Sequence, residues 1–193
     1  RLLRYTSTVS EGLVGPSSID MNLIRLLLIV GLVLFILPNA SLASSYYSPE
    51  GVDRSLLDGE VPLKIPIPVL FGVDRADIRP DFGDSRGGGT RVHQGQDMVA
   101  PKGTPIVSPT EAIVLRTGSG GIAGKYVHTA NPGGETFRYI HLDYIADLEV
   151  GDRLDVGDFI GTVGDTGNAA PGSYHLHFEI LDKNDVHHDP YPR

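Results

Sequence analysis

The chain contains no cysteine. That excludes disulfides, thiolate metal ligands, a cysteine nucleophile and a lipid-modified amino-terminal cysteine. Any metal must therefore be held by histidine and carboxylate. Basic clusters are missing as well: 16 Lys and Arg stand against 24 Asp and Glu, a net charge of −8. No run of cations forms the electrostatic footprint of a nucleic-acid binder, so no nucleic-acid partner is expected. An acidic surface gives no long-range attraction to an anionic polymer either, and binding to one would need a local groove. Long apolar runs are absent. Leu26–Leu37 has only twelve positions, whereas a bilayer span needs about 20. After that run, no stretch carries a helical apolar period over ten or more positions, and no serine sits in a nucleophile-elbow context.

Turn formers are what the chain has in plenty, with 14 Pro and 24 Gly. They imply short strands joined by turns. Met21-Asn-Leu-Ile-Arg25, the apolar run, Pro38 and Ser41-Leu42-Ala43 have the layout of a secretory signal cleaved after Ala43. A secreted, periplasmic or cell-envelope location follows, with no stable membrane span after cleavage. Residues 1–20 read as an upstream extension, 21–43 as the signal, 44–68 as a Pro-containing linker and 69–193 as one compact domain. Nothing in the sequence points to an oligomer, so a monomer is expected.

In that domain, β-type runs at Pro105–Ser108, Ala112–Thr117, Lys125–Thr129, Thr136–Leu142, Phe159–Val163 and His175–Leu181 alternate with Gly-rich turns. Asn131-Pro132-Gly133-Gly134 marks a hairpin. Lys64–Val69, punctuated by Pro66 and Pro68, permits at most an edge strand. Lys102–Ile106 with Ala112–Val114 echoes Val150–Leu154 with Phe159–Gly161. The expected fold is all-β: a small antiparallel β-sandwich with a groove, made of two similar lipoyl/biotinyl-like halves.

Three segments hold the chemistry-bearing residues. His93-Gln94-Gly95-Gln96-Asp97 follows the flexible stretch Arg86–Arg91, whose glycines let backbone approach a site closely. In His175-Leu176-His177-Phe178-Glu179-Ile180, strand alternation puts His175, His177 and Glu179 on one face and sends Leu176, Phe178 and Ile180 to the core. In Tyr139-Ile140-His141-Leu142, alternation puts Tyr139 with His141 and Ile140 with Leu142. Glu179 reads as an ordinary exposed strand residue, with a partner holding an imidazole's outer N–H as the alternative, His128 as a surface residue, and His187-His188 as a tail.

Together these segments resemble the lysostaphin-like, or LytM-like, zinc peptidases. The likeness runs from about Phe82 to Pro190 and takes in Phe82-Gly83, Gly103-Thr104-Pro105, Gly151-Asp152, Gly164-Asp165-Thr166-Gly167 and Asp189-Pro190. It departs at Ser173-Tyr174, where Gly-Pro or Ala-Pro is common. The resemblance implies one zinc ion on His93, Asp97 and His177, with His141 and His175 as the non-ligand histidines of the active site. It also implies a secreted zinc endopeptidase acting on peptidoglycan cross-links or bridges. Three N/O ligands leave zinc an open position for water, the mark of a catalytic site. One of His141 and His175 serves as base and the other as donor. His175 is the favoured base because it shares a strand with His177, but the sequence does not separate the two. A non-catalytic wall-binding or amidase-activating module of the same fold is the alternative; such relatives lose ligands, and here all five positions are filled. A carrier domain would need a lysine at an exposed hairpin tip, and Lys102 and Lys125 lack the expected neighbours.

Overall fold

The computed structural model describes residues 52–57, 59–169 and 171–193. The expected extension, signal and first part of the linker lie outside them. Among the described residues, helix is confined to 3-10 turns of three or four residues, and no helix is long and apolar enough to cross a membrane.

The strands are β1 (Ser85–Arg86), β2 (Arg91–Val92), β3 (Gln96–Val99), β4 (Pro105–Val107), β5 (Ala112–Gly120), β6 (Gly124–Asn131), β7 (Glu135–Ile145), β8 (Arg153–Leu154), β9 (Phe159–Val163), β10 (His175–Leu181) and β11 (His187–His188). β1 and β2 form a separate two-stranded ribbon. The other nine join in one sheet along the path β11-β10-β7-β6-β5-β8, with β3 on β10 and β9 between β4 and β7. Every pairing is antiparallel. The fold is all-β, as expected.

Each of the six expected strands forms. The apolar residues Leu176, Phe178 and Ile180 of β10 are buried against Phe137 and Tyr139 of β7. Phe178 meets the Phe137 ring edge-on at 5.3 Å. A buried side chain of this size stabilises the fold by about 1.5–3 kcal/mol, which fixes the register of β10: a slip by one residue would bury the histidines instead. The β6–β7 hairpin turns at Pro132–Gly134, where Gly133 has φ +75° and a Cβ would lie 2.4 Å from Val61 Cγ2. The two echoing segments interlock, since β4 pairs with β9 and β5 with β8.

The Pro-rich stretch contributes a single bridge, Val69 to Ile106. The described part of the expected linker lies on the domain. Leu57 is buried with Ile113, Leu115 and Ala130, and Ile65 and Ile67 pack on the main core.

One alternation differs from expectation. Tyr139 is fully buried with Phe137 and Leu142 in the core, while Ile140 and His141 both line the cleft. His141 is the cause: its φ of +66° is left-handed, and the register of β7 on β9 shifts between Leu142 and Tyr144. A non-glycine residue held there stores strain of order 1–3 kcal/mol. The irregularity turns a residue that strict alternation would place beside Tyr139 outward into the cleft.

Candidate metal centre

β10 lies between β3 and β7, so His177 faces Asp97 on one side and Ile140 on the other. Asp97 and His177 are direct cross-strand partners. His93 precedes β3, its backbone tied to Gly83 and Asp84. Gly95 lets this segment cross β10 at close range: a Cβ there would meet Phe178 O at 2.6 Å and His177 Nε2 at 2.8 Å. The flexible Arg/Gly stretch folds as the β1–β2 ribbon, with Gly87, Gly88 and Gly89 all at positive φ. Its Arg86 reaches Asp97 Oδ2 at 3.3 Å.

His93 Nε2, Asp97 Oδ1 and His177 Nδ1 converge, separated pairwise by 3.0, 2.9 and 2.8 Å. They form a group able to hold a metal ion. What the other ring nitrogens touch decides what these three atoms offer. His93 Nδ1 lies 2.9 Å from the Asp81 carbonyl oxygen, and His177 Nε2 lies 3.1 Å from Glu179 Oε1. Both outer partners are acceptors, so in the neutral rings the outer nitrogens carry the protons. Two imidazole lone pairs and a carboxylate oxygen then point at one spot. Such a convergence is unfavourable unless a positive charge sits there. A proton satisfies it in part. Burial pulls the His177 pKa down, but hydrogen bonds to Asp97 and Glu179 outweigh burial and raise it to about 9. Burial raises the Asp97 carboxyl, yet hydrogen bonds from His177 and His93 hold it well below the usual carboxylate range. A divalent cation satisfies all three ligands at once, and a His/Asp/His set with separations near 3 Å suits zinc at bond lengths of about 2.0–2.1 Å.

His141 and His175, outside that cluster, are anchored differently. His141 Nδ1 donates to the Thr166 carbonyl at 2.7 Å, and His175 Nδ1 to the Ser173 carbonyl at 2.7 Å. In the neutral ring each therefore keeps an Nε2 lone pair, so the carbonyl anchors make both acceptors at the cleft rather than one of them the expected donor. The two rings meet edge to face at 5.0 Å, and His175 Nε2 lies 3.8 Å from Asp97 Oδ1. Burial, reinforced by neighbouring His175, lowers the His141 pKa to about 4. The ring is thus neutral at pH 7. Because Ser173 acts through its backbone, the departure at Ser173-Tyr174 leaves this anchor unaffected. All five expected site residues line one cleft of about 650 Å³.

Of the supporting residues, sequence reasoning missed Asp81 and gave Glu179 as an imidazole's partner only as the alternative. Asp81 is buried and accepts from Gln96 Nε2 at 2.8 Å and from Arg86 at 3.0 Å, besides receiving His93 on its carbonyl. Burial first, then the neighbouring Asp97, raises its pKa. Glu179 is buried at 7% exposure rather than exposed. Its cross-strand partner Arg138 lies 3.0 Å away, and His187 approaches its Oε2 at 3.2 Å. Burial opposes the Glu179 carboxylate, but the hydrogen bonds from His177 and His187 keep it ionised. His128 is half-buried beside the Tyr126 ring, and burial, then Arg138, pushes its pKa down to about 4. The signal for Glu179 was present in the strand alternation that placed it on the His177 face. For Asp81 there was none, because its contacts come from loop geometry.

Residues 91–190 match Peptidase family M23. The peptidoglycan DD-endopeptidase ShyC of Vibrio cholerae is 34% identical over 103 residues, which cover 53% of this chain and 23% of that protein. The chain thus spans about a quarter of that relative's length. Among solved structures, the catalytic domain of the antimicrobial peptidase lysostaphin from Staphylococcus simulans aligns with a TM-score of 0.53 at 26% identity, covering 60% of this chain and 89% of the domain. A zinc-containing peptidase from Vibrio cholerae aligns with a TM-score of 0.50 at 29% identity, over 59% of this chain and 34% of its own. With the family match extending over half its length and its His/Asp/His cluster inside that span, the chain belongs to peptidase family M23.

Proposed function

We propose that the chain is a secreted zinc endopeptidase that hydrolyses peptide bonds in peptidoglycan cross-links or bridges. His93, Asp97 and His177 are its metal ligands, and residues 69–193 its catalytic domain. The observation that carries this reading is the convergence of His93 Nε2, Asp97 Oδ1 and His177 Nδ1 with both outer nitrogens committed to acceptors. Zinc bound there supplies a Lewis acid for the scissile carbonyl and makes water acidic enough to ionise near neutral pH. The naming of ShyC and of the zinc-containing structural neighbour supports the substrate and the metal.

The remaining work falls to the chain's own residues. His175 offers its Nε2 lone pair beside Asp97 and is the general base, taking the proton of the attacking water and returning it to the leaving amine. His141, held neutral, presents Nε2 as an acceptor that orients the water. Thr166 and Ser173 fix both tautomers through their carbonyls, and Glu179 with Arg138 holds the His177 ring in its plane. A wall-binding module would have no use for His93, Asp97, His141, His175 and His177 together.

The test is digestion of purified peptidoglycan by the zinc-loaded chain, with the released peptides identified by mass spectrometry. Cleavage abolished by a chelator and restored by zinc is the expected result. Intact peptidoglycan in the presence of protein holding one zinc per chain would contradict the assigned substrate.

A further inference from the structure

The wall of the cleft carries four charged side chains besides the histidines: Arg86, Arg91, Asp97 and Glu179. Arg86 is paired with Asp81 and Asp97, Asp97 with Arg86 and the histidines, and Glu179 with Arg138. Arg91, on the exposed ribbon strand β2, has no ion pair among the described residues. Its head group is nonetheless held in place. With the Asn168 amide oriented so that its nitrogen donates to Ile122 O at 3.0 Å, Asn168 Oδ1 accepts from Arg91 Nη2 at 3.0 Å. The Asn168 backbone N–H donates to the same Ile122 carbonyl. A neutral amide thus fixes a guanidinium without cancelling its charge. Of the five N–H donors on that group, this contact uses one. On either side stand the exposed apolar residues Val92 and Ile122. In a chain of net charge −8, a held and uncompensated cation in the substrate cleft has a definite chemical complement.

We infer that Arg91 binds a carboxylate of the substrate, so that the cleft selects acidic peptides over uncharged ones such as a glycine bridge. This rests on the peptidase reading above and narrows its substrate class. Arginine suits the task because its planar fork meets a carboxylate through two parallel hydrogen bonds, where lysine offers a point charge. Asn168 restricts where that fork sits, so the carboxylate must lie at a set distance along the peptide from the bond cleaved. Arg91 is a specificity-determining residue and takes no part in the proton transfers.

The experiment uses the zinc-loaded full chain and a synthetic cross-linked peptide, two Ala–γ-D-Glu–Lys–D-Ala stems joined from the D-Ala carboxyl of one to the Lys ε-amine of the other. Variants of the peptide have each carboxylate in turn replaced by carboxamide. Both the binding constant, by isothermal titration, and KM and kcat are read. Amidation of one particular carboxylate should weaken binding and raise KM about two- to fivefold, the range of a partly exposed ion pair, with kcat unchanged. Arg91→Gln should abolish that difference and leave the amidated peptide at its wild-type affinity, whereas Arg91→Lys should restore part of it. Equal binding of all the peptides by the wild-type chain would overturn the inference. So would an Arg91→Gln chain that weakens acid and amide peptides alike, which is what a purely structural tie to Asn168 produces. Because binding is read separately from turnover, a chain that prefers the carboxylate yet cleaves nothing contradicts the peptidase reading alone.

Discussion

His177 and His141 stand on neighbouring strands with ring centroids 5.8 Å apart, yet their outer nitrogens meet opposite kinds of partner. His177 Nε2 faces the ionised carboxylate of Glu179, itself backed by Arg138 and His187. His141 Nδ1 faces only the Thr166 carbonyl. Both partners fix a tautomer and aim the inner nitrogen into the cleft. A carboxylate also adds negative charge, which makes the ring a stronger base and a better ligand. A carbonyl adds a dipole alone, and burial then decides: the pKa of His177 rises to about 9 while that of His141 falls to about 4. One cleft thereby holds histidines of two kinds, one suited to a cation and one kept neutral for hydrogen bonding. Within such a short distance, Asp97 at the near nitrogen of His177 and then Glu179 at its far one separate it from His141.

The largest break in this contrast is His177→Ala, which removes a ligand and leaves Glu179 beside an empty space. Bound zinc and hydrolysis should be lost together, with zinc read by plasma mass spectrometry. His141→Asn tests the opposite side. Asn tolerates the left-handed backbone that His141 adopts, so the fold and the zinc should remain while kcat falls by about five- to tenfold, the loss of one hydrogen bond to the water. Loss of zinc in that variant would make His141 a ligand and erase the distinction. Glu179→Gln keeps the shape but removes the charge behind His177. Zinc affinity should fall about 10–100-fold, measured by competition with a chromogenic chelator.

The gentlest test is pH. The folded-state pKa of His177 is raised above the usual 6.5 to about 9 in the metal-free protein. Below that value a proton occupies the site, and zinc must displace it. Apparent zinc affinity should therefore rise with pH, by about tenfold per unit as one proton is released, and level off above about pH 9. Asp97, held ionised, adds no slope in that range. A flat profile between pH 7 and 9 would mean that His177 is already neutral and that Glu179 does not raise its basicity.

Much of this was legible in the sequence, for identifiable reasons. The strand His175–Leu181 is bounded as expected because Leu176, Phe178 and Ile180 at a period of two leave one way to bury them. Phe159–Val163 is bounded as expected because Gly157-Asp158 and Gly164-Asp165 punctuate it on either side. The five site residues were readable as types at fixed spacings. β3 was not: Gln96-Asp97-Met98-Val99 carries little apolar signal, and its strand form comes from pairing with β10. The placing of His141 with Ile140 in the cleft, and of Leu142 with Tyr139 in the core, depends on the left-handed backbone at His141, which no periodicity reveals. Asp81 and Arg86 reach the site from loop and ribbon, where the spacing along the chain carries no information about the distance between side chains.

The convergence of three lone pairs at His93, Asp97 and His177 is tested most directly by the zinc stoichiometry of the full chain, dialysed against metal-free buffer after loading. One zinc per chain, absent in His177→Ala and retained in His141→Asn, is what the geometry predicts. A wild-type chain that emerges folded and without zinc would contradict it.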